Sequence, residues 1–576
     1  MSTGNNVVTG PKAPKDPNKK TQAFYIMRGK EVCGSPTADG RGIQFIYEDG
    51  GRLINSAKLV GNIEDQAMLD LMLTTAGFRK LVHSIGVTVE TEDASEVVTF
   101  AFQHYGKTDP YVSGSTHTLE VSGDGMESIM VLDELEWSDD DNCPGQIRFE
   151  FKKPGTLAKV AVKFYLNDGF TAPAVEEDKD VDFESDEYKE MISWSLMNKG
   201  NNARIKTAID KARRGEDVTL GFIGGSITQG AGAIPINTKC YARRIFEGFC
   251  DVSGRGYEDN VHYVKAGMGG TPSELGMIRY ERDITKDGEI SPDLVVVEFA
   301  VNDAGDETNG RCFDSLVRKI YNSPSKPAVV ILFAVFQDDF NLQDRLSPVG
   351  EAYDIPMVST KNSVSKQFYL KPGQGRVISK GQYFYDCFHP TNTGHKVMAD
   401  GVIKLFEVCD EQPYDKEIES LNSIKAPIGG EFENVHLIDR ADNKIGAVID
   451  AGSFTSYDKD IQSVELNMDT HTSPMFPNNW KFDPKEGTYK PFEMDIEASK
   501  LLIVYKDSAS PEFGTVDVFV DGVKSITIDP HVVGWTHANA YIVFENDEVK
   551  NRHVSVRMKD GDEDKAFTIL GFGYVR

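Results

Sequence analysis

Residues 218–230 read VTLGFIGGSITQG and pass from a strand pattern directly into a glycine-rich turn. The β-branched and aromatic residues of 218–223 predict a buried β-strand, and the glycines after them predict a sharp exit at its carboxyl end. We therefore expect Ser226 at the carboxyl edge of a sheet, where backbone N–H groups are free to bind negative charge. A phosphate-binding loop would need a Lys before the Ser or Thr, and a dinucleotide loop would need three spaced glycines; the stretch has neither. Taken alone, the stretch also fits an ordinary serine in a turn.

Three further segments carry glycine or polar residues at a strand end or just before a helix. They are 261–265 followed by AGMGGT with Gly270, 294–299 followed by AVND with Asn302, and DCFHP at 386–390 followed by a helix-like stretch at 392–409. Because the carboxyl ends of parallel strands meet at one edge of a sheet, this organisation favours a shared site.

Together the four segments, in this order, resemble the SGNH (GDSL-like) serine hydrolases. The resemblance covers about 218–409 and implies a three-layer α/β/α domain with a parallel sheet. It also implies the site residues, which are a catalytic triad of Ser226, His389 and Asp386 and an oxyanion hole of Ser226, Gly270 and Asn302.

The same residues suit ester hydrolysis on chemical grounds. A serine hydroxyl needs a base to take its proton as it attacks, and His389 is the candidate base. Asp386, three residues earlier, is placed to accept the other imidazole N–H and to stabilise the imidazolium. The oxyanion formed by attack needs donors, which the backbone N–H groups of Ser226 and Gly270 and the side-chain amide of Asn302 can supply.

Two departures and several simpler explanations weigh against this interpretation. Gly225 stands where an Asp usually precedes the serine, and Ala300 stands where a Gly usually opens the third segment. Neither residue is needed for the chemistry, so these departures bear on the subfamily. Taken singly, His389 also fits a helix-flanking histidine, Asp386 a turn residue and Asn302 a helix cap.

Composition limits the possible partners. The chain has 576 residues, enough for three or four domains, with 90 acidic against 62 basic residues and a formal charge of −28. This charge argues against nucleic acid, anionic membrane surfaces and polyanionic substrates, because all of them would be repelled. Neutral substrates are the natural class that is left.

The cysteines and the N-terminal segment bear on cofactors and location. Seven scattered cysteines show neither a disulfide framework nor metal-ligand spacing, so we expect reduced thiols, no metal and no cofactor. Residues 1–20 are polar and predict a disordered tail without a secretory signal, and no apolar run reaches the ~20 residues of a membrane span. A cytoplasmic location is expected, or secretion if a signal sequence has been removed.

Strand patterns flank the central region on both sides. The predicted organisation is a disordered tail at 1–20, an N-terminal β-sandwich of the jelly-roll kind at 21–173, an acidic and solvated linker at 174–187, the hydrolase domain at 188–410, a linker at 411–428 and a C-terminal β-sandwich at 429–576. One helix is predicted in the N-terminal domain, at 64–76, and two helices, at 188–197 and 203–214, lead into the hydrolase strand.

Aromatic and basic residues outside the four segments invite a role in binding. Trp480 and Trp535 could present flat faces to sugar rings, with core or rim packing as the alternative for each. We expect Trp535, in GWTH at 534–537, to add a wall to the substrate site, so that the C-terminal domain either binds carbohydrate or completes the site. Arg279 and Arg282 have acidic neighbours and are expected to be salt-bridging surface residues.

These observations predict a serine esterase that removes O-acetyl groups from neutral plant polysaccharide or oligosaccharide of the xylan or mannan type. The expected partner is the acetylated glycan, with no nucleic acid and no membrane, and homo-oligomer formation is left open. One alternative is a lipase or thioesterase of the same family acting on other acyl esters. The other is a carbohydrate-binding protein whose hydrolase domain is inactive.

Overall fold

The computed structural model describes residues 7–8, 20–176, 178–256, 259–462, 475–486, 489–508 and 510–576. It contains a central α/β domain with a β-domain on each side. The predicted disordered tail, residues 1–20, lies outside the described residues except for Val7–Val8 and Lys20. Val7–Val8 pairs with Val175–Glu176 in a short antiparallel ladder.

The N-terminal domain is a sandwich of two antiparallel sheets. The first sheet has the strand order Ala23–Cys33, Leu157–Leu166, Val82–Thr91 and Ser128–Val131. The second has the order Ser35–Pro36, Gly42–Tyr47, Asp141–Phe151, Val97–Gly106 and Thr116–Ser122. Apolar side chains from both sheets, such as Val87 and Phe149, form one core. The predicted sandwich is confirmed.

The helical region of this domain differs from the prediction of one helix at 64–76. Three short helices are present, at Arg52–Leu59, Gln66–Leu71 and Thr75–Leu81. The side chain of Asp65 accepts a hydrogen bond from Ala67 N, and that of Thr74 accepts one from Gly77 N. Each hydrogen bond caps the start of a new helix, which is why the segment forms separate short helices instead of one.

The acidic segment at 174–187 is held on the central domain instead of being fully solvated as predicted. Asp178 accepts a hydrogen bond from Ser379 Oγ at 2.6 Å and pairs with Arg376. Ser185 caps the helix Asp186–Ser193, which ends four residues before the predicted boundary.

The central domain has a six-stranded sheet between two layers of helices. Its strand order is Leu196–Asn198, Met357–Ser359, Ala328–Phe333, Leu294–Glu298, Val218–Gly224 and Val261–Gly267. Five strands are parallel, but the edge strand Leu196–Asn198 runs antiparallel, so the sheet is mixed where a parallel one was predicted. The three-layer architecture is confirmed.

Alternating residues of the strands face the two helix layers. In Val218–Gly224, Leu220 and Phe222 pack on one side and Ile223 on the other. The first layer holds the helices Ala203–Arg213, Tyr241–Ser253 and Asn392–Glu411. The second holds Ser273–Asp283, Arg311–Tyr321 and Gln343–Tyr353. Shorter helices are Ser226–Gln229, Ile236–Lys239, Thr360–Phe368 and Lys380–Tyr383.

The C-terminal domain is built around two long strands that pair along their length, Phe492–Asp507 and His537–Met558. The other strands are His436–Ile438, Val448–Asp450, Trp480–Phe482, Val516–Val520, Val523–Ile528 and Phe567–Val575. All eight belong to one hydrogen-bonded sheet, and their apolar side chains form a core in which the ring centroids of Trp480 and Phe492 lie 5.4 Å apart. Trp480 is 4% exposed, so it belongs to the core and offers no face to a ligand.

The C-terminal and central domains share a hydrophobic core. Leu502 and Val504 of the C-terminal domain pack in the same cluster as Leu316 and Phe299 of the central domain. The linker at 411–428 joins this packing, because Leu421 is buried in that cluster. The two domains are therefore joined by continuous hydrophobic packing.

All seven cysteines are free thiols, five of them buried. Within the described ranges, no helix is both long enough and apolar enough to cross a lipid bilayer.

Candidate active site

Ser226 lies at the turn that the sequence predicted. The strand Val218–Gly224 ends directly before it, and the short helix Ser226–Gln229 begins with it. A Cβ on Gly224 would lie 2.1 Å from Thr228 Oγ1, so no side chain fits at that position. The tight turn directs Ser226 out of the sheet edge while the next residues are buried.

The structure brings Ser226, His389 and Asp386 into one hydrogen-bonded chain. His389 Nε2 lies 2.9 Å from Ser226 Oγ, and His389 Nδ1 lies 2.8 Å from Asp386 Oδ2. Asp386 Oδ1 also accepts hydrogen bonds from the backbone N–H groups of Phe388 and His389, both at 2.8 Å. These contacts orient the imidazole toward the serine.

Asp386 is held in its charged form. Burial alone would raise the pKa of this carboxyl, but the charge of His389 and the hydrogen bonds from His389 and Phe388 outweigh burial. The net result is a pKa well below the usual range of an Asp. A permanent carboxylate at this position can stabilise an imidazolium on His389.

The two other predicted loops lie beside Ser226. A Cβ on Gly269 would be 3.9 Å from Ser226 Cβ, which places the Gly269–Gly270 turn against the serine. Gly270 has φ +70°, a conformation that favours glycine. The amide of Asn302 lies against Gly225, since a Cβ there would be 2.1 Å from Asn302 Oδ1. The glycine at 225, which departs from the family pattern, leaves room for that amide.

Residues of the C-terminal domain reach this turn, including the predicted Trp535. A Cβ on Gly270 would lie 2.7 Å from His537 Nε2 and 3.0 Å from Trp535 Cζ2. Gln462 Nε2 donates to the Gly269 carbonyl at 2.6 Å, and Gln462 Oε1 accepts from Ala538 N at 2.9 Å. Trp535 is 47% exposed, so its ring is open to solvent beside the glycine turn.

His537 and Gln462 were not predicted from the sequence. Burial lowers the pKa of His537 despite its hydrogen bonds to the Gly270 backbone and to Asn539, and so favours the neutral form of its ring. The one signal for it was its position in GWTH, two residues after Trp535.

The N-terminal domain contacts the loop that carries Asp386 and His389. Lys30 Nζ lies 3.9 Å from the centroid of the Tyr385 ring, and Glu31 accepts a hydrogen bond from Asn392 Nδ2. Burial lowers the pKa of Lys30, although the charges of Glu48 and Asp386 oppose this effect. All three domains thus meet around the site.

Arg279 is a buried residue that supports the strand ends of the site. The sequence had predicted a surface residue at this position. Arg279 is 0% exposed, and its guanidinium donates to the carbonyls of Gly224 at 2.9 Å and Ala266 at 2.7 Å. These carbonyls end the two strands that lead to Ser226 and Gly270. Arg282 does pair with Asp283, at 2.6 Å, but is partly buried.

A buried acid lies behind the nucleophile turn. Thr228 Oγ1 donates to Glu298 Oε2 at 3.2 Å and also contacts Tyr241 Oη at 2.7 Å. Burial raises the pKa of Glu298 to about 8. This carboxyl is consequently protonated at neutral pH and adds no negative charge near His389.

Comparisons with known proteins agree with this fold. Residues 222–397 match the GDSL-like Lipase/Acylhydrolase family. The structure of a two-domain esterase active on acetylated mannans is similar over 67% of this chain and 99% of that chain, with 24% identity and a TM-score of 0.56. A structure of such an esterase co-crystallised with mannopentaose gives 23% identity and a TM-score of 0.55, over 67% of this chain and 98% of that chain. No curated protein matches the sequence.

At these identities the structural likeness shows a shared fold. The family match begins inside the strand Val218–Gly224, ends inside the helix Asn392–Glu411 and includes every predicted residue of the triad and the oxyanion hole. The central domain of this protein belongs to the GDSL-like (SGNH) hydrolase family.

Proposed function

We propose that this protein is a serine esterase that removes O-acetyl groups from neutral plant polysaccharide or oligosaccharide of the xylan or mannan type. The observation that carries the proposal is the hydrogen-bonded chain from Ser226 through His389 to Asp386 beside an open aromatic side chain, Trp535.

In the first half-reaction, Ser226 Oγ attacks the acetyl carbonyl while His389 Nε2 takes its proton. Asp386 stabilises the imidazolium that forms. The oxyanion is bound by the backbone N–H groups of Ser226 and Gly270 and by the amide of Asn302. When the intermediate collapses, the sugar oxygen leaves and takes the proton from His389, and the acetyl group stays on Ser226.

In the second half-reaction, water attacks the acetyl-enzyme. His389 removes a proton from the water as it adds to the acetyl carbonyl, and the same donors bind the second oxyanion. Collapse releases acetic acid, which then ionises to acetate in water, and returns the proton from His389 to Ser226 Oγ. Atoms balance as one ester plus one water giving one alcohol and acetic acid.

Three features favour a neutral glycan as the alcohol part of the substrate. The chain's charge of −28 disfavours anionic substrates. Trp535 offers an exposed face beside Gly270, and aromatic faces suit the CH surface of a pyranose ring. A protein of similar fold is active on acetylated mannans, and such a protein has been crystallised with mannopentaose.

A substrate panel tests the proposal. Purified full-length protein is incubated with acetylated xylo- and manno-oligosaccharides, with long-chain lipid esters and with acyl thioesters, and acid release is measured. We expect acetate from the acetylated sugars and little release from the other two classes. Release from lipid esters or thioesters alone would favour a lipase or thioesterase, and no release from any substrate would favour an inactive carbohydrate-binding protein.

A further inference from the structure

Three buried side chains that ester hydrolysis does not use converge next to the oxyanion loops. Glu274, Asp306 and Cys312 each bring one potential ligand atom within 4.8 Å of the other two. Glu274 lies in the first turn of the helix Ser273–Asp283, and Cys312 in the first turn of Arg311–Tyr321. Asp306 and Cys312 are six residues apart, but Glu274 lies 32 residues before Asp306, so no short sequence motif contains all three.

Glu274 points into the cluster without a hydrogen-bond partner. The residue is 2% exposed, and its Oε1 atom has no partner among the residues that the structure describes. A buried carboxylate oxygen without a partner is costly, which calls for a ligand or a proton at that atom.

The surroundings of the cluster are acidic. Burial raises the pKa of Glu274 well above its usual range, and the charges of Asp306, Glu307 and Asp303 raise it further. Burial also raises the pKa of Cys312, with Glu274 and Asp306 adding to the effect. All these groups would gain from the same positive charge.

Arg311 opposes these effects with its positive charge, but it is already paired with another acid. Arg311 lowers the pKa of Glu274, but its guanidinium is paired with Glu545 at 2.7 and 3.1 Å. Asp306 is oriented by hydrogen bonds from Thr308 N at 2.8 Å and Gly310 N at 2.6 Å. Thr308 Oγ1 also donates, at 2.6 Å, to the Asp306 oxygen that Thr308 N binds, so the oxygen bonded to Gly310 N is the one that keeps a lone pair for a further ligand.

We propose that Glu274, Asp306 and Cys312 bind one divalent transition-metal cation, with Zn²⁺ the best match. A thiolate with two carboxylates suits Zn²⁺, which takes sulfur at about 2.3 Å and oxygen at about 2.0–2.2 Å. The three candidate ligand atoms lie within 4.8 Å of one another, close enough to share one ion. Binding releases the thiol proton and any carboxyl proton to solvent.

The cation would hold the two oxyanion loops together. Glu274 follows the Gly270 turn, and Asp306 follows Asn302 by four residues. The same two segments are already joined by Asp303, which accepts from Ser273 N at 2.8 Å and from Ser273 Oγ at 2.9 Å. A metal bond between them adds a second and stronger connection.

Metal content and stability test this site independently of ester hydrolysis. Full-length protein is incubated with Zn²⁺, desalted and analysed for bound metal, alongside Glu274→Gln, Cys312→Ser and the control Cys409→Ser, which removes a buried thiol elsewhere. We expect one Zn²⁺ per chain in wild type and in Cys409→Ser, and loss of that metal in the two cluster variants. A chelator should lower the Tm of wild type to that of Glu274→Gln.

Cobalt provides a spectroscopic signature of the thiolate. Co²⁺-loaded wild type and Cys409→Ser should show a sulfur-to-cobalt charge-transfer band that Cys312→Ser lacks. If Cys312→Ser fails to fold, the isosteric Glu274→Gln decides the matter by metal content and Tm. Wild type that retains no Zn²⁺, or variants that retain as much as wild type, would overturn the proposal and identify the cluster as protonated acids.

Discussion

His537 Nε2, from the C-terminal domain, lies so close to Gly270 that a Cβ on this glycine would come within 2.7 Å of it. The glycine turn of the proposed oxyanion hole is thus packed against a second domain. Gln462 contacts the same turn by donating a hydrogen bond to the Gly269 carbonyl. A hydrolase domain alone would lack these contacts, so we expect the C-terminal domain to affect what can bind on this side of the site.

Replacing Trp535 by Ala should affect large and small substrates differently. Loss of the exposed ring should lower kcat/KM on an acetylated oligosaccharide roughly two- to thirteenfold, as expected for an aromatic contact of about 0.5–1.5 kcal/mol. A small chromogenic acetate has no sugar ring to pack on the indole and should be hydrolysed at close to the wild-type rate. Trp194→Ala removes another exposed ring (39% exposed), at the end of the helix Asp186–Ser193, and serves as the control. Equal losses on both substrates would indicate misfolding, and no loss on either would remove Trp535 from the site.

Asn302→Ala should reduce kcat on the small acetate by about 10²–10³-fold, the usual effect of removing one oxyanion donor. KM should change little, because the amide binds the charge that develops in the transition state. Steady-state kinetics measures both values, and thermal unfolding checks that the variant is folded. A folded variant with kcat within twofold of wild type would exclude the amide from the oxyanion hole.

Arg279→Met should weaken both stability and catalysis. The variant leaves the carbonyls of Gly224 and Ala266 without their guanidinium donor, which we expect to cost about 3 kcal/mol of unfolding free energy. Because these carbonyls end the strands that hold Ser226 and Gly270, kcat should also fall. Urea unfolding gives the free energy. Arg214→Met, at an exposed ion pair with Glu216, should cost less than about 1 kcal/mol, and equal costs for both would refute a special role for Arg279.

Glu298 should make the protein less stable as pH rises. Its pKa is about 8 in the folded state against an ordinary 4.5, so between these values the folded state binds more protons than the unfolded state. Stability contributed by this group then falls with rising pH, by at most about 1.4 kcal/mol per pH unit. Glu298→Gln lacks this contribution, so its unfolding free energy should fall less steeply from pH 5 to 8. Identical slopes for wild type and variant in urea unfolding would show that Glu298 does not titrate in this way.

The parts of the site that the sequence could predict are those encoded locally. Ser226 follows a strand and two glycines, and Asp386 is three residues from His389, so short patterns place each group at a strand end or before a helix. The structure brings these groups together because parallel strands end at one edge. The β-domains were predictable for a similar reason, since strand alternation and turns are short-range signals.

The remaining features depend on contacts between distant segments. Arg279 sits among acidic neighbours in the sequence, and only the strand ends of Gly224 and Ala266 explain why it is buried. Leu196–Asn198 is a three-residue strand, too short to show a period, and its antiparallel direction is set by its partner Met357–Ser359. His537 carries no sequence signal of its contact with Gly270.

The most direct test of the account compares wild type with Ser226→Ala on one chromogenic acetate ester under identical conditions. The variant, folded as judged by its Tm, should lose activity by several orders of magnitude, because it has no nucleophile to form the acetyl-enzyme. Equal rates for the two proteins would contradict the account.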